Sequence, residues 1–321
     1  MSTDPYKAPS LRPELACRGF HGPPYVIRMR RRGVDCAMMA LHRSRLVLAC
    51  VPVLFLLPAN RPTASIDAQV GTEARRPPPV SLRYVANAGV LLTISGVDIL
   101  IDAPIRDGIP PYATSSMGER QKLEQARSPY DRVAAILITH WHEDHFDARA
   151  VAAHLAANAR AVLISAPEVV DRVRAVAPAL DSTRLRAVLP APGTSDLMRL
   201  GPLPIRVLRI RHNPTRRLPE QHLGFLVGEP HTVLHTGDAD PAPDNVALLR
   251  DLPQVDLALV PFWFVQGEDN WRFVRTALAP RRIAALHLPP SDAQSVRRAF
   301  EAARRPAVLL ADPGTAIPLD P

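Results

Sequence analysis

The stretch "ITHWHEDHFD", residues 138–147, constrains this chain more than any other. It packs three histidines and three acids into ten positions and directly follows the apolar run Val133–Ile138. A buried-looking strand that ends in so many polar groups needs a fold that brings partners to that strand end, because ionisable groups are costly to bury alone. The rest of the chain supplies candidates at comparable places. His212 follows the apolar run at 203–211, Asp238 follows 232–236, and His287 lies near the end of 283–288. Strand ends on one rim are rigid points from which side chains can converge while loops open to solvent.

Composition narrows the chemistry. All three cysteines, at 17, 36 and 50, lie in the first 80 residues. A metal site in the remainder must therefore use histidines and carboxylates. The net charge of +8 is also a property of the leader: residues 1–80 hold 12 Lys/Arg against 5 Asp/Glu, and the other 241 hold 27 against 26. The body thus has no basic excess for nucleic-acid binding.

Residues 1–80 read as a leader. Residues 1–37, rich in Arg and Pro, have no periodicity and read as disordered or as an over-extended start. Residues 38–68 have the layout of a signal peptide, with His42, Arg43 and Arg45 before the twelve-residue run "LVLACVPVLFLL" and small residues after it. Ala64 and Ala68 are candidate cleavage points. The run is shorter than the ~18–20 residues of a membrane span, so no span is expected in the mature chain, and export to a periplasmic or extracellular space is. A buried core segment and a lipoprotein signal at Cys50 are the alternatives. "TEARRPPPV" (72–80) is a proline-rich linker.

In the body, 81–321, residues 82–104 alternate as a hairpin around Ser95-Gly96. Residues 105–130 form a long polar loop with a helical patch at 119–126, of the kind that is usually functional or mobile. Helix is expected at 148–159 and 167–177, with strand at 161–165. The second half reads as strands at 203–211, 223–228, 232–238, 255–262, 283–288 and 306–311, with helices near 268–279 and 292–304. Two sheets face to face with helices outside follow from this rhythm. No strong internal sequence repeat is visible.

The polar set His140, His142, Asp144, His145, His212, Asp238 and His287 offers five imidazoles and two carboxylates, which suits borderline divalent ions such as Zn2+. Two such ions can share a water, lower its pKa and hold the hydroxide for attack. "HWHEDH" resembles the His-x-His-x-Asp-His signature of the metallo-β-lactamase superfamily, with the resemblance running over 81–321. "DILIDAP" is similar to its first motif, and "YVANAGVLLTISG", "HTGDAD" and "LHLPP" are similar to its lactonase- and phospholipase-D-like branch. The resemblance implies an α/β fold, a four-layer αββα sandwich. It also implies a binuclear metal-dependent hydrolase using a metal-bridging hydroxide on a phosphodiester, lactone or related ester, small or lipid-like. His140, His142 and His212 would hold one ion, and Asp144, His145 and His287 the other. Asp238 would bridge, and Asp144 would also orient the hydroxide. A β-lactamase is a rival, although the body lacks the cysteine that one class uses and carries a bridging aspartate that β-lactamases do not. An iron-binding oxidoreductase-type member is another, weakened because no flavodoxin-like or rhodanese partner domain accompanies the body; a scaffold without turnover ranks last.

Several residues keep two readings. His222 competes with His212, whose "RHNPTRR" context is loop-like. Asp102 is expected to accept hydrogen bonds beneath the site. Asp147 and Asp240 are caps or supporting acids. His231 and His235 are supporting or surface residues, His154 lies on a helix face, and Glu143 is solvated. Phe262, Trp263 and Phe264 are core by default and a substrate wall by the sharper reading. Arg216 and Arg217 belong to a solvated loop or meet an anionic substrate.

Overall fold

The computed structural model describes residues 80–214 and 221–318. The leader, its signal-like segment and linker, and Arg216-Arg217 lie outside these.

The alternating segment after Val80 forms three strands, β1 (Ser81–Ala86), β2 (Gly89–Ile94) and β3 (Val97–Ile101). It is a meander with two turns where the sequence indicates one hairpin, since Asn87-Ala88 also reverses the chain. The long loop that follows carries α1 (Met117–Glu124), capped by the Ser116 hydroxyl on the Glu119 N–H. Parallel crossovers then place β4 (Val133–Ile138), α2 (Ala148–Ala157), β5 (Val162–Ser165), α3 (Pro167–Val176) and β6 (Leu185–Ala187). Pro167 opens α3, where its missing N–H costs nothing.

The second half contains β7 (Ser195–Leu200), β8 (Leu203–Leu208), β9 (Gly224–Val227), β10 (Val233–His235), α4 (Pro243–Arg250), β11 (Leu257–Pro261), α5 (Glu268–Phe273), β12 (Arg282–Leu286), α6 (Ala293–Ala302), β13 (Ala307–Leu309) and β14 (Ala316–Pro318). Strands β6, β7 and β14 and helix α4 have no counterpart in the sequence reading. Helix α5 continues into a wider π turn over Val274–Leu278.

The strands make two seven-stranded sheets, ordered β14-β1-β2-β3-β4-β5-β6 and β13-β12-β11-β10-β9-β8-β7. In the first, pairs from β14 to β3 are antiparallel and those from β3 to β6 parallel. The second repeats the plan: β7 to β10 antiparallel, β10 to β13 parallel. The C-terminal β14 thus occupies in the first sheet the place that β7 holds in the second. The sequence shows no strong repeat, yet the two sheets are built alike.

Period-2 alternation separates the layers. In β4, Ala135 and Leu137 enter a core with Leu92, Ile99, Ile101, Val207, Phe225, Leu259 and Leu286, which lies between the sheets. Ile136 and Ile138 face the other way, onto Val151, Leu155, Val169, Val170 and Val173 of α2 and α3. On the second sheet's outer face, Leu234, Ala258, Val260 and Ala285 pack with Leu249, Val274, Val296 and Phe300. The result is the αββα sandwich. No helix among the described residues is long and apolar enough to cross a membrane.

Candidate metal centre

Parallel pairing of β3 with β4 aligns Ile101 with Leu137, and the next residue, Asp102, reaches Thr139 through its side chain. Asp102 is fully buried and its backbone turns at φ 47°, in the left-handed region. Its carboxylate accepts from the Thr139 N–H (2.8 Å), the Thr139 hydroxyl (2.6 Å) and His145 Nδ1–H (2.9 Å). Because the Thr139 hydroxyl donates to Asp102, its oxygen accepts from His140 Nδ1–H at 2.9 Å. One carboxylate thereby sets two tautomers, leaving the Nε2 lone pairs of His140 and His145 to face inward. The loop then folds tightly, with the N–H groups of His145 and Phe146 both donating to the His142 carbonyl at 2.9 Å.

The second sheet meets this loop from across the sandwich. His212 bridges to Ala239 just beyond β8. Its Nδ1–H donates to the Asn213 carbonyl at 2.6 Å, and its buried Nε2 has no hydrogen-bond partner. His222 is committed at both nitrogens: Nδ1–H donates to the Ile210 carbonyl (3.1 Å) and Nε2 accepts the Asp238 N–H (3.0 Å). His222 therefore holds the backbone of Asp238, while His212 Nε2 is left without a hydrogen bond and could serve as a ligand atom. Gly237, at φ 54°, makes this approach feasible, since a Cβ there would come within 2.6 Å of His222 Nε2 and 2.9 Å of Thr139 Cβ. Beneath, His235 donates to the Ala88 carbonyl (2.9 Å) and accepts from the Gly237 N–H (3.1 Å). His287, also left-handed at φ 60°, follows β12.

The seven candidate side chains converge in two groups, His140, His142, His212 and Asp238 in one and Asp144, His145 and His287 in the other. Within each group the available ligand atoms lie within 4.8 Å of one another, and every member is buried. His140 Nε2 faces His142 Nδ1 at 2.9 Å, and His145 Nε2 faces His287 Nε2 at 3.1 Å. Asp238 spans the groups, with Oδ1 3.1 Å from His145 and Oδ2 3.2 Å from His287 and 3.5 Å from His212. His287 Nε2 is also 3.1 Å from Asp144 Oδ2. Inward lone pairs from several imidazoles and two carboxylates repel one another unless they share a cation. The donor set therefore fits two divalent ions, with nitrogen and oxygen ligands only.

The protonation pattern has the same cause. Burial opposes a charge on His145, but the carboxylates of Asp238 and Asp144 and the bond to Asp102 hold its pKa well above the imidazole value. His287 is raised likewise, against burial, chiefly by Asp238. Burial pushes both acids up, yet His145 and His287 outweigh it, bringing Asp144 to about 2 and Asp238 well below the carboxylate range. Burial and then the charge on a neighbouring imidazole hold His140 and His222 well below. A proton on His145 thus stands where a cation's charge is wanted.

Around the centre, Tyr112 meets the His287 ring edge-on at 4.2 Å between centroids and Trp263 does so at 5.0 Å, while Trp141 lies against His142 at 4.8 Å. The Trp263 indole donates to the Ala239 carbonyl at 3.0 Å. Phe264, its neighbour, is fully buried in the outer core of the second sheet, and half-buried Phe262 packs against that core. The aromatic cluster thus divides, with Phe264 in the core and Trp263 at the site. A cavity of about 620 Å³ borders His212 and His222 and is also lined by Arg209, Arg211, Asp244 and Asn245.

The remaining candidates fall elsewhere. Glu143 is exposed. Asp147 caps α2 by accepting from the Ala150 N–H at 2.7 Å, whereas Asp240 accepts from the Ala242 N–H at 3.3 Å in the turn before α4, whose N-cap is Ala242, so Asp240 is a turn acid and not a cap. His154 is buried on α2, donating to the Leu123 carbonyl. His231 is half-exposed beside Asp256. Sequence reasoning missed three residues at the centre: Thr139, Tyr112 and Asn87. Thr139 stood next to the signature and carried a signal only through its hydroxyl. Asn87 reads as an ordinary turn residue.

The sequence matches the β-lactamase superfamily domain over residues 98–310. A search of curated proteins found no match. Among solved structures, the fold is similar to Igni18, a metallo hydrolase from the archaeon Ignicoccus hospitalis, with 18% identity, 75% of this chain and 99% of that chain covered, and a TM-score of 0.50. It is similar to the metallo-β-lactamase fold protein YhfI of Bacillus subtilis, with 14% identity, coverage of 75% and 99%, and a TM-score of 0.52. It is also similar to CmlA, a diiron β-hydroxylase of Streptomyces venezuelae, with 13% identity, coverage of 74% and 53%, and a TM-score of 0.50. The family match takes in most strands of both sheets, the His-rich loop and all seven convergent side chains, and the chain belongs to the metallo-β-lactamase superfamily.

Proposed function

We propose that this protein is an exported, metal-dependent hydrolase that holds two divalent ions, zinc first among the candidates, and cleaves a phosphodiester, lactone or related ester. One observation carries the reading: two buried groups of His and Asp share Asp238 and turn their ligand atoms on two neighbouring points. His140, His142 and His212 would hold one ion and Asp144, His145 and His287 the other, with Asp238 between. When bound, such ions acidify water towards neutral pH and withdraw charge from the bond being cleaved. The chain's own residues do the rest. Asp102 and Thr139 keep His140 and His145 in the ligating tautomer, and His222 holds Asp238 by its backbone. Trp263 and Tyr112, set edge-on beside His287, offer ring surface to a small or lipid-like substrate.

Elemental analysis of the purified protein should find two ions per chain, and Asp238→Ala should lose at least one. Turnover should appear in a panel of phosphodiesters, lactones and simple esters. Brisk hydrolysis of a β-lactam with none of these would reverse the order of substrates. A second reading, an iron oxidoreductase, draws on the fold shared with CmlA. Iron as the native metal, with no hydrolysis across the panel, would favour it. Export predicts a mature N-terminus between about residues 60 and 72 in protein from its own host. An intact leader on cytosolic protein would refute that part.

A further inference from the structure

Asn87 has no place in the ligand set, yet it touches the second group of ligands from two directions. It is fully buried in the turn between β1 and β2, at φ 48°. Its carbonyl accepts the backbone N–H of His287 at 3.0 Å. Its side-chain Nδ2 donates to the Asp144 carbonyl at 2.9 Å and to the Asp144 carboxylate at 3.3 Å. Asp144 stands on the loop after β4 in the first sheet, whereas His287 follows β12 in the second. One turn residue therefore ties a ligand from each sheet to a common point, where His287 Nε2 and Asp144 Oδ2 stand 3.1 Å apart.

We propose that Asn87 is a positioning residue for the second ion, setting its affinity while leaving the first ion, held by His140, His142 and His212, largely alone. The assignment rests on the two-ion reading above. Its chemistry is particular to a neutral donor. An amide N–H orients a carboxylate and favours its ionised form without adding a positive charge that would oppose a cation. Asn also accepts the left-handed backbone that the turn requires. A residue needed only for the turn would be replaceable by Gly or Asp, since both tolerate that conformation. A residue needed for its N–H would not be.

The test compares wild type with Asn87→Gly and Asn87→Asp in the full chain. Metal-free protein is titrated with Co2+ and followed by absorbance and calorimetry, which resolve the two binding steps. Outer hydrogen-bond partners of metal ligands are typically worth 10–100-fold in affinity. Asn87→Gly should weaken the second step by about that factor and leave the first within about threefold. Asn87→Asp, which sets an acceptor against the Asp144 carbonyl and carboxylate, should weaken it further. Metal-free melting temperatures within a few degrees of wild type would show that the fold is intact; if Gly unfolds the chain, Asp carries the comparison. Unchanged titrations, equal losses at both steps, or an Asp variant that binds like wild type would each overturn the proposal. A wild-type chain that takes up one ion or none would overturn the two-ion reading itself, and this assignment with it.

Discussion

Asp102 never touches the space between the ligands, yet its replacement by Asn should disable both ion sites. In the native protein its two oxygens accept three bonds, from the Thr139 N–H, the Thr139 hydroxyl and His145 Nδ1–H. Asn can keep the first with its carbonyl oxygen. Its NH2 then faces the hydroxyl and the imidazole, where donors already point. The least costly repair flips His145 so that Nδ1 accepts and Nε2 carries the hydrogen. The Thr139 hydroxyl can likewise turn to donate to His140 Nδ1, and His140 then carries its hydrogen on Nε2. Both rings would present N–H, not a lone pair, to the ions. The expected loss is about 10–100-fold in affinity at each site, roughly 1.4–2.7 kcal/mol per ion. The fold should survive, because one mismatched buried polar contact costs about 1–3 kcal/mol. For a domain of this size that is a fall of about 2–12 °C in Tm. Asp102→Ala is the harsher case. It strands up to three buried donors, roughly 3–9 kcal/mol, which approaches the whole stability of an ordinary domain. The assay is elemental analysis after dialysis against a metal buffer, beside calorimetric melting of the metal-free protein. An Asp102→Asn chain that retains both ions at wild-type affinity would refute the tautomer argument.

The other predictions concern pH, ligand choice and the aromatic cluster. Stability of the metal-free chain should peak near pH ~6.5, the ordinary imidazole value. Below it, the unfolded chain takes up protons more readily than buried His140, His154, His222 and His235, whose pKa values are lowered. Above it, the stabilisation from His145 and His287, whose pKa values are raised, is lost as pH rises through them. Denaturant midpoints from about pH 5 to 9 check this, saturating zinc should flatten the alkaline side, and a steady rise across the range without metal would contradict it. His212→Ala should lose an ion outright, whereas His222→Ala should keep two at saturating metal while weakening their grip and costing about 1–3 kcal/mol for each buried group it strands. Ion counts in the opposite order would reverse their roles. Phe264→Ala should cost about 3–5 kcal/mol and show in the melting curve. Trp263→Ala should change KM or substrate preference with Tm nearly unchanged, and a large fall in its Tm with KM intact would return Trp263 to the core.

Much of this centre is legible in the sequence. His140, His142, Asp144 and His145 are contiguous, so their meeting is a local matter that "HWHEDH" displays directly. Asp238 and His287 were visible as polar residues at the ends of apolar runs, because a strand's burial is written in its composition and its end is where burial stops. The two sheets with outer helices followed from the same alternation. What composition could not reveal was pairing across the sandwich. β6 and β14 are only three residues long and six-residue β7 is largely exposed; all three are edge strands with little apolar pattern, and their strand identity comes from the neighbours they bond. His212 and His222 are both imidazoles after an apolar run, and only the whereabouts of each second nitrogen separates them. His222 spends both nitrogens on Ile210 and Asp238, while His212 leaves Nε2 without a hydrogen-bond partner. Adjacent Trp263 and Phe264 part company because a tight turn sends one ring to His287 and the other into the core. Asn87 was hidden by its own suitability for a turn. Its three bonds reach Asp144, 57 residues on, and the still more distant His287. Residue type and spacing record what a segment buries and where it turns, but the direction of a lone pair is decided by partners far along the chain, and those are chosen only when the two sheets close on each other.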